Sequence, residues 1–199
     1  MKQFDNAVER FGKIILNELK ERKITAWVAG GVLRDYFAGS RISSDYDLFF
    51  PDQDNYDKTM AYFTERGAEI IWDSHNGAKL KHDGKTFDLI KKFFSSPQDT
   101  INQFDFTVCM FAVDYDRVYY GETAFMDLAK KQLMINKITY PASTISRAFR
   151  YYTKGFRMCK GEMKTMIESY KPAPKDEPEN KEDENASSGE FGGFFLGID

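Results

Sequence analysis

The segment WVAGGVLRDYFAGSRISSDYDLFF, Trp27 to Phe50, limits the fold more than any other part of the chain. Its first residues are short and β-forming, Gly30 and Gly31 break them, Val32 to Phe37 has helical spacing that Gly39 ends, and the segment from Asp45 returns to strand character. Strand, glycine turn, brief helix and second strand thus fall in one compact unit. Residues i and i+2 of a strand share a face, so Asp45 and Asp47 converge. Two like charges on a rigid strand repel, and a divalent cation removes the difficulty. Carboxylates are hard ligands suited to Mg²⁺ or Mn²⁺, which substrate phosphates commonly complete. Gly30 and Gly31, placed before a helix, let backbone approach such a phosphate, and Arg34 one turn later offers a fork of donors. Asp-x-Asp alone decides little, because Asp52/Asp54 and Asp114/Asp116 repeat it beside turns, where capping and solvation explain it.

The remaining chain reads as α+β, a small mixed sheet with helices packed on it. Phe4, Val8, Phe11, Ile15 and Leu19 recur at three- and four-residue steps and predict a helix over 4–22. A helix is expected over 54–66 and a strand at AEIIW. Asp83-Gly84 between two strand-like runs is a strong hairpin signal, and Ser96-Pro97 starts a short helix to about Gln103. DFTVCMFAVD is β-rich, DRVYYGE continues it past a turn, and TAFMDLAKKQLM is mixed. The run from Ser143 to Tyr170 is a basic helical finish that leaves the domain.

At 199 residues, 42% hydrophobic, the chain can bury one core. Residues 1–170 are read as that domain. Residues 171–199 hold three Lys against eight Asp/Glu, a charge of −5 that leaves +2 on the rest of a chain of net charge −3. This acidic, Pro-bearing tail is expected to be disordered. Its closing FGGFFLGID either docks on its own domain or is a linear motif for a protein partner through residues 191–199. No apolar run approaches the roughly 20 residues of a membrane helix and no signal h-region is seen, so a cytoplasmic protein with no membrane association is expected. Cys109 and Cys159 lie far apart without zinc-type spacing, which suits a reducing compartment. His75 and His82 have no partner at metal spacing.

GGVLRDYFAGSRISSDYDL resembles the signature of the DNA polymerase β-type nucleotidyltransferases, in the branch of class II tRNA CCA-adding enzymes and bacterial poly(A) polymerases. Asp88 in KTFDLIKKFF matches the place of that family's third carboxylate. QFDFTVCMFAVD resembles its Arg-Arg-Asp-Phe-Thr segment at Asp105, Phe106 and Thr107, and SRAFRYYTKGF its Arg-Ala-x-Arg-Phe helix at Arg147 and Arg150. The likeness covers roughly residues 20–160. It implies the family's nucleotidyltransferase fold, with Asp45, Asp47 and Asp88 as catalytic metal ligands for Mg²⁺ or Mn²⁺. It further implies nucleotide binding by Gly30, Gly31, Arg34, Asp105, Arg147 and Arg150, with NTP, ATP among the candidates, as substrate. NMP would pass to a hydroxyl acceptor, RNA or another molecule, with release of pyrophosphate.

Three features depart from that pattern. Gln103 and Phe104 stand where the family has arginines. The positions of its base-reading Glu-Asp-x-x-Arg set fall at Tyr140, Pro141 and Thr144, which argues against CCA specificity. The family's helical tRNA-holding body has no counterpart in the acidic tail. Two function classes therefore stand: a minimal metal-dependent nucleotidyltransferase, and a catalytically quiet structural or binding subunit of a larger assembly such as a virion, tethered by its tail. A small transferase of toxin-antitoxin type is a third.

Overall fold

The computed structural model describes residues 2–170; the tail with its FGGFFLGID motif lies outside the described residues. Helical residues begin at once, as α1 (Lys2–Phe11), a π-helical turn (Gly12–Leu16) and α2 (Asn17–Glu21), and Phe11, Ile15 and Leu19 of the expected stripe are buried. The chain then enters β1 (Trp27–Ala29), α3 (Gly31–Phe37), β2 (Tyr46–Phe49) and α4 (Gln53–Glu65). Strands β3 (Glu69–Ser74), β4 (Gly77–His82) and β5 (Lys85–Ile90) follow, then α5 (Pro97–Ile101), β6 (Phe111–Val113), β7 (Val118–Tyr120), α6 (Ala124–Lys130), α7 (Pro141–Thr153) and α8 (Lys160–Ser169). The architecture is α+β.

All seven strands form one mixed sheet in the order β3-β4-β5-β2-β1-β6-β7. Only β2 and β5 run parallel; their neighbours pair antiparallel. The Asp83-Gly84 turn joins β4 to β5 with both residues at positive φ, 47° and 71°, the conformation that suits a two-residue hairpin.

Register sorts the central side chains into two kinds of row. Ala78, Leu89, Leu48, Val28 and Val113 lie opposite one another across β4, β5, β2, β1 and β6, and all are buried. On this face Tyr46 and Phe87 meet Phe11 of α1 and Phe63 of α4. One residue along each strand, on the opposite face, the row reads Lys79, Asp88, Asp47, Ala29 and Ala112. Farther along that face the core resumes: Phe49 packs on Phe104, and the Trp27 indole N–H donates to Thr100 of α5 at 2.9 Å. The polar row is thus built into the middle of an otherwise apolar sheet.

Several segments differ from the sequence expectation. In DFTVCMFAVD only Phe111–Val113 is strand, while Thr107–Cys109 forms a 3₁₀ turn. Thr107 explains the change, since its hydroxyl donates to Asp127 at 2.8 Å and its amide to the Met134 carbonyl, which ties this stretch to the following connection and away from the sheet. The mixed TAFMDLAKKQLM contains α6. The basic finish is two helices, divided at Gly155, whose φ of 90° a helix cannot use. Between α7 and α8 lies an open apolar groove of about 420 Å³, lined in part by Phe149, Tyr152, Phe156, Met163 and Ile167. Among the described residues no helix is long and apolar enough to cross a membrane.

Leu48 is fully buried at the centre of the apolar row. Leu48→Ala is expected to cost about 3 kcal/mol through lost burial and the cavity left behind. Urea denaturation should show a lower midpoint with an unchanged slope.

Candidate functional site

Gly30 links β1 to α3 with φ 85° and ψ −138°, a conformation open to glycine and strained for other residues. Its amide donates to the Phe111 carbonyl of β6, so the sheet fixes the turn, and α3 departs directly beside Ala29. Ala29 is opposite Asp47, and Asp47 is opposite Asp88 on the parallel neighbour β5. The two methyl-sized side chains of Ala29 and Ala112 leave the row low on the side of the glycine turn. Asp45 precedes β2 by one residue and is half-buried, while Asp47 and Asp88 are each 2% exposed.

Lys79, which the sequence reading passed over, completes the cluster. It lies opposite Asp88 on β4 and places its Nζ 2.8 Å from Asp45 Oδ2 and 3.4 Å from Asp88 Oδ2. Burial works against the Lys79 ammonium, but the bond to Asp45 and the charges of Asp88 and Asp45 outweigh it and hold its pKa above the usual value. Burial pushes the Asp88 carboxyl up to about 6, with Lys79 pulling it back and Asp45 adding to the rise. The other oxygen of Asp88, Oδ1, is buried without a hydrogen-bond partner. A buried anionic oxygen without a donor fits a cation, and the hard-oxygen donor set fits Mg²⁺ or Mn²⁺. As they stand, with Lys79 between two of the carboxylates, no three Asp, Glu, His or Cys among the described residues are gathered to hold a metal ion.

Arg34 does not face this row from the surface. It is 1% exposed, and its guanidinium donates to Asp35 Oδ1 at 2.9–3.0 Å, to Ser44 Oγ at 3.1 Å, to the Tyr151 hydroxyl at 2.9 Å and to Cys109 Sγ at 3.4 Å. Asp35 Oδ2 in turn accepts from the Ser43 amide and from the hydroxyls of Ser43 and Ser44. Burial pushes Asp35 up, yet Arg34 and the Ser43 amide more than offset this and hold its carboxyl below the usual range. A phosphate contact by Arg34 would require exchange of these bonds. Its present effect is to fix the loop that delivers Asp45.

Asp105 and Arg147 meet each other: Asp105 Oδ2 accepts from Arg147 at 2.7 Å and 2.5 Å and from the Thr144 hydroxyl at 2.7 Å. This ties the segment before β6 to α7. Arg150 lies one turn farther on α7 and is partly buried. Phe104 is core, and Gln103 accepts from Lys137 at 2.5 Å. The other two Asp-x-Asp pairs are turn devices, as expected: Asp52 caps α4 by accepting from the Asn55 amide, and Asp114 accepts from the amides of Asp116 and Arg117.

The profile of the family described as "Gad2: Gabija anti-defense 2 family protein" matches residues 2–131. The chain belongs to the Gabija anti-defense 2 family. The chain is 29% identical over 164 residues to "Gabija anti-defense 2" of Bacillus phage SPbetaL7, a match covering 76% of the chain and 38% of that relative. Solved structures supply the fold. A CCA-adding enzyme with ATP aligns with TM-score 0.63 at 16% identity over 84% of this chain and 44% of that one. The Bacillus stearothermophilus CCA-adding enzyme with CTP gives 0.61 at 19% identity, over 84% and 43%. An apo tRNA-processing enzyme gives 0.61 at 18%, over 82% and 46%. The chain therefore has the head-domain fold of these nucleotidyltransferases and spans less than half of their length.

Two measurements probe the site's electrostatics. Asp35→Ala leaves the Arg34 charge buried without its partner and should cost about 3–5 kcal/mol in denaturation, whereas Arg34→Met with Asp35→Leu should cost less than either single change. For Asp88 the folded value lies above the ordinary 3.8. Its contribution favours the folded state below about pH 4 and is lost as pH rises through about 6. In chelator-treated protein, Asp88→Asn should raise stability at pH 7 by about 1–2 kcal/mol and leave it nearly unchanged at pH 4.

Proposed function

We propose that this chain is a nucleotidyltransferase that acts against Gabija defense by moving NMP from an NTP to a hydroxyl acceptor. The observation that carries the reading is the pairing of Asp47 with Asp88 on adjacent parallel strands, directly beside the Gly30 turn. Membership of an anti-defense family supplies the biological direction, and solved relatives bound to ATP, CTP and tRNA support a nucleotide substrate and an RNA acceptor. Asp45, Asp47 and Asp88 would hold Mg²⁺ or Mn²⁺, which when bound supplies charge that eases deprotonation of the acceptor and offsets charge on the pyrophosphate. Gly30 and Gly31 give the triphosphate close approach to backbone. In the transfer itself the acceptor oxygen bonds to the α-phosphorus while the bond from phosphorus to the pyrophosphate oxygen breaks. Asp88 Oδ1, buried without a hydrogen-bond partner, would face the metal ion, and the acceptor proton would pass to solvent. Arg147 and Arg150 stand on the helix nearest the Asp105 segment, where positive charge would favour nucleotide phosphates.

The position of Lys79 favours a second reading, in which the fold serves as a quiet binding subunit, with Asp45 and Asp88 bridged internally by Lys79 and its partner reached through residues 191–199. The two readings separate in one pair of assays. With each α-labelled NTP, Mg²⁺ or Mn²⁺, mixed RNA and extract of Gabija-bearing cells, wild type should label an acceptor, and Asp47→Ala should lose about 100-fold or more of the rate. The same substitution should abolish rescue of phage infection in Gabija-bearing bacteria. Equal labelling by both proteins, or full rescue by Asp47→Ala, overturns the catalytic reading.

A further inference from the structure

Helix α7 carries two apolar stripes. Ala148 and Tyr151 are buried against the domain, whereas Ile145, Phe149 and Tyr152, at steps of four and three residues, make a second stripe on the same helix. Met163, Met166 and Ile167 of α8 lie across from it, and the two stripes line the groove of about 420 Å³. Phe149 is 71% exposed, Ile167 63% and Tyr152 61%. Large apolar side chains left open together in one concave site mark a place where something docks.

The chain itself carries a fitting occupant. Beyond the described residues the sequence continues with the 20 residues 171–190 and then Phe191, Phe194, Phe195 and Leu196. Aromatic side chains suit a groove walled partly by methionine, because the polarizable thioether adapts its shape and contacts ring edges favourably. Charge agrees with this assignment: residues 141–170 hold six Lys/Arg against two Glu, and residues 171–199 carry the −5. Reach is sufficient as well. Twenty residues of coil span on the order of 25 Å, beyond the roughly 15 Å of a ten-residue helix such as α8. A segment and a site linked at that length meet at an effective concentration in the millimolar range, which in dilute solution favours the segment over a second copy of the chain. We propose that Phe191, Phe194, Phe195 and Leu196 seat in the α7–α8 groove of their own chain, as a cover held in cis. The inference stands apart from the transfer reading. It alters the binding reading, because a partner that takes residues 191–199 then also uncovers the groove.

Nuclear magnetic resonance on the full chain tests the proposal. A nitroxide on Cys159, which is exposed and adjoins the groove-lining Met158, broadens the signals of whatever sits in the groove, while buried Cys109 stays unlabelled. The amide signals of residues 191–196 should be broadened relative to the reduced, diamagnetic protein, to the same extent at every protein concentration. Phe149→Gln with Ile167→Gln, both at exposed positions, should restore them. A peptide of residues 188–199 should bind the full chain carrying Phe194→Ser and Phe195→Ser about tenfold or more tightly than wild type, whose own segment occupies the site. Circular dichroism checks that the groove variant is folded, and the Phe194/Phe195 variant, altered only beyond the described residues, carries the test if it is not. Broadening that arises only between spin-labelled and isotope-labelled chains mixed together gives the groove to a second copy and overturns the proposal. Unchanged signals of 191–196 beside equal peptide affinity for both proteins overturn it too and leave the groove to a different chain.

Discussion

The buried ion pair of Arg34 and Asp35 is the constraint on which the site's geometry depends. The pair sits on α3, yet its outward bonds go to Ser43 and Ser44, the residues directly before Asp45. Without that anchor the segment between Gly39 and Tyr46 has no regular structure to hold it. A buried ion pair seldom adds much net stability over an apolar replacement. Its value here is directional, because guanidinium and carboxylate bonds are strongly oriented and fix one path of the chain. Tyr151 of α7 and Cys109 close the far side of the guanidinium, so α7 is coupled to the same anchor.

A second pair, Asp105 with Arg147, attaches α7 to the segment leading into β6. The two pairs together explain why residues resembling a nucleotide-binding signature are so deeply placed in this chain. Arg34, Asp105 and Arg147 are engaged in bonds between elements, Arg34 with Asp35, Ser44 and Tyr151 and Arg147 with Asp105, whereas Asp47 and Asp88 lie in the sheet itself.

Much of this was legible in the sequence. The helix at the start, the glycine turn, the hairpin at Asp83-Gly84 and the Ser96 cap all follow from local rules, in which a few adjacent residues determine the backbone. The proximity of Asp47 to Asp88 came from resemblance, since a parallel pairing of strands so distant in the chain has no local signal. The role of Lys79 was recoverable but missed: a two-residue turn at Asp83-Gly84 fixes the hairpin register, and counting back from it sets Lys79 against Asp88. The engagement of Arg34 with Asp35 was hidden, because adjacent residues on a helix do not normally face each other. Only the inward packing of α3 against Cys109 and Tyr151 bends the guanidinium back onto its neighbour. The strand expected from Asp105 onward failed for a similar reason, as Thr107 found its partner in Asp127, a tertiary contact that overrode β-propensity.

Placing two carboxylates and a lysine in the middle of a sheet is costly, and the fold limits the cost by geometry. Behind the row, the neighbouring residues Ala78, Leu89, Leu48, Val28 and Val113 make the opposite face apolar at this level, so the sheet does not need the row for its core. Phe49, Trp27 and Phe104 restore hydrophobic packing a short distance along the same face. The strain of like charges is therefore confined to one transverse line, with small residues at one end and a cation at the other. An arrangement of this kind keeps charge available at a fixed point without giving up the stability of the surrounding domain. Burial pushes the Asp88 carboxyl up to about 6 even with Lys79 beside it, so on this line the cost of buried charge falls most heavily on Asp88.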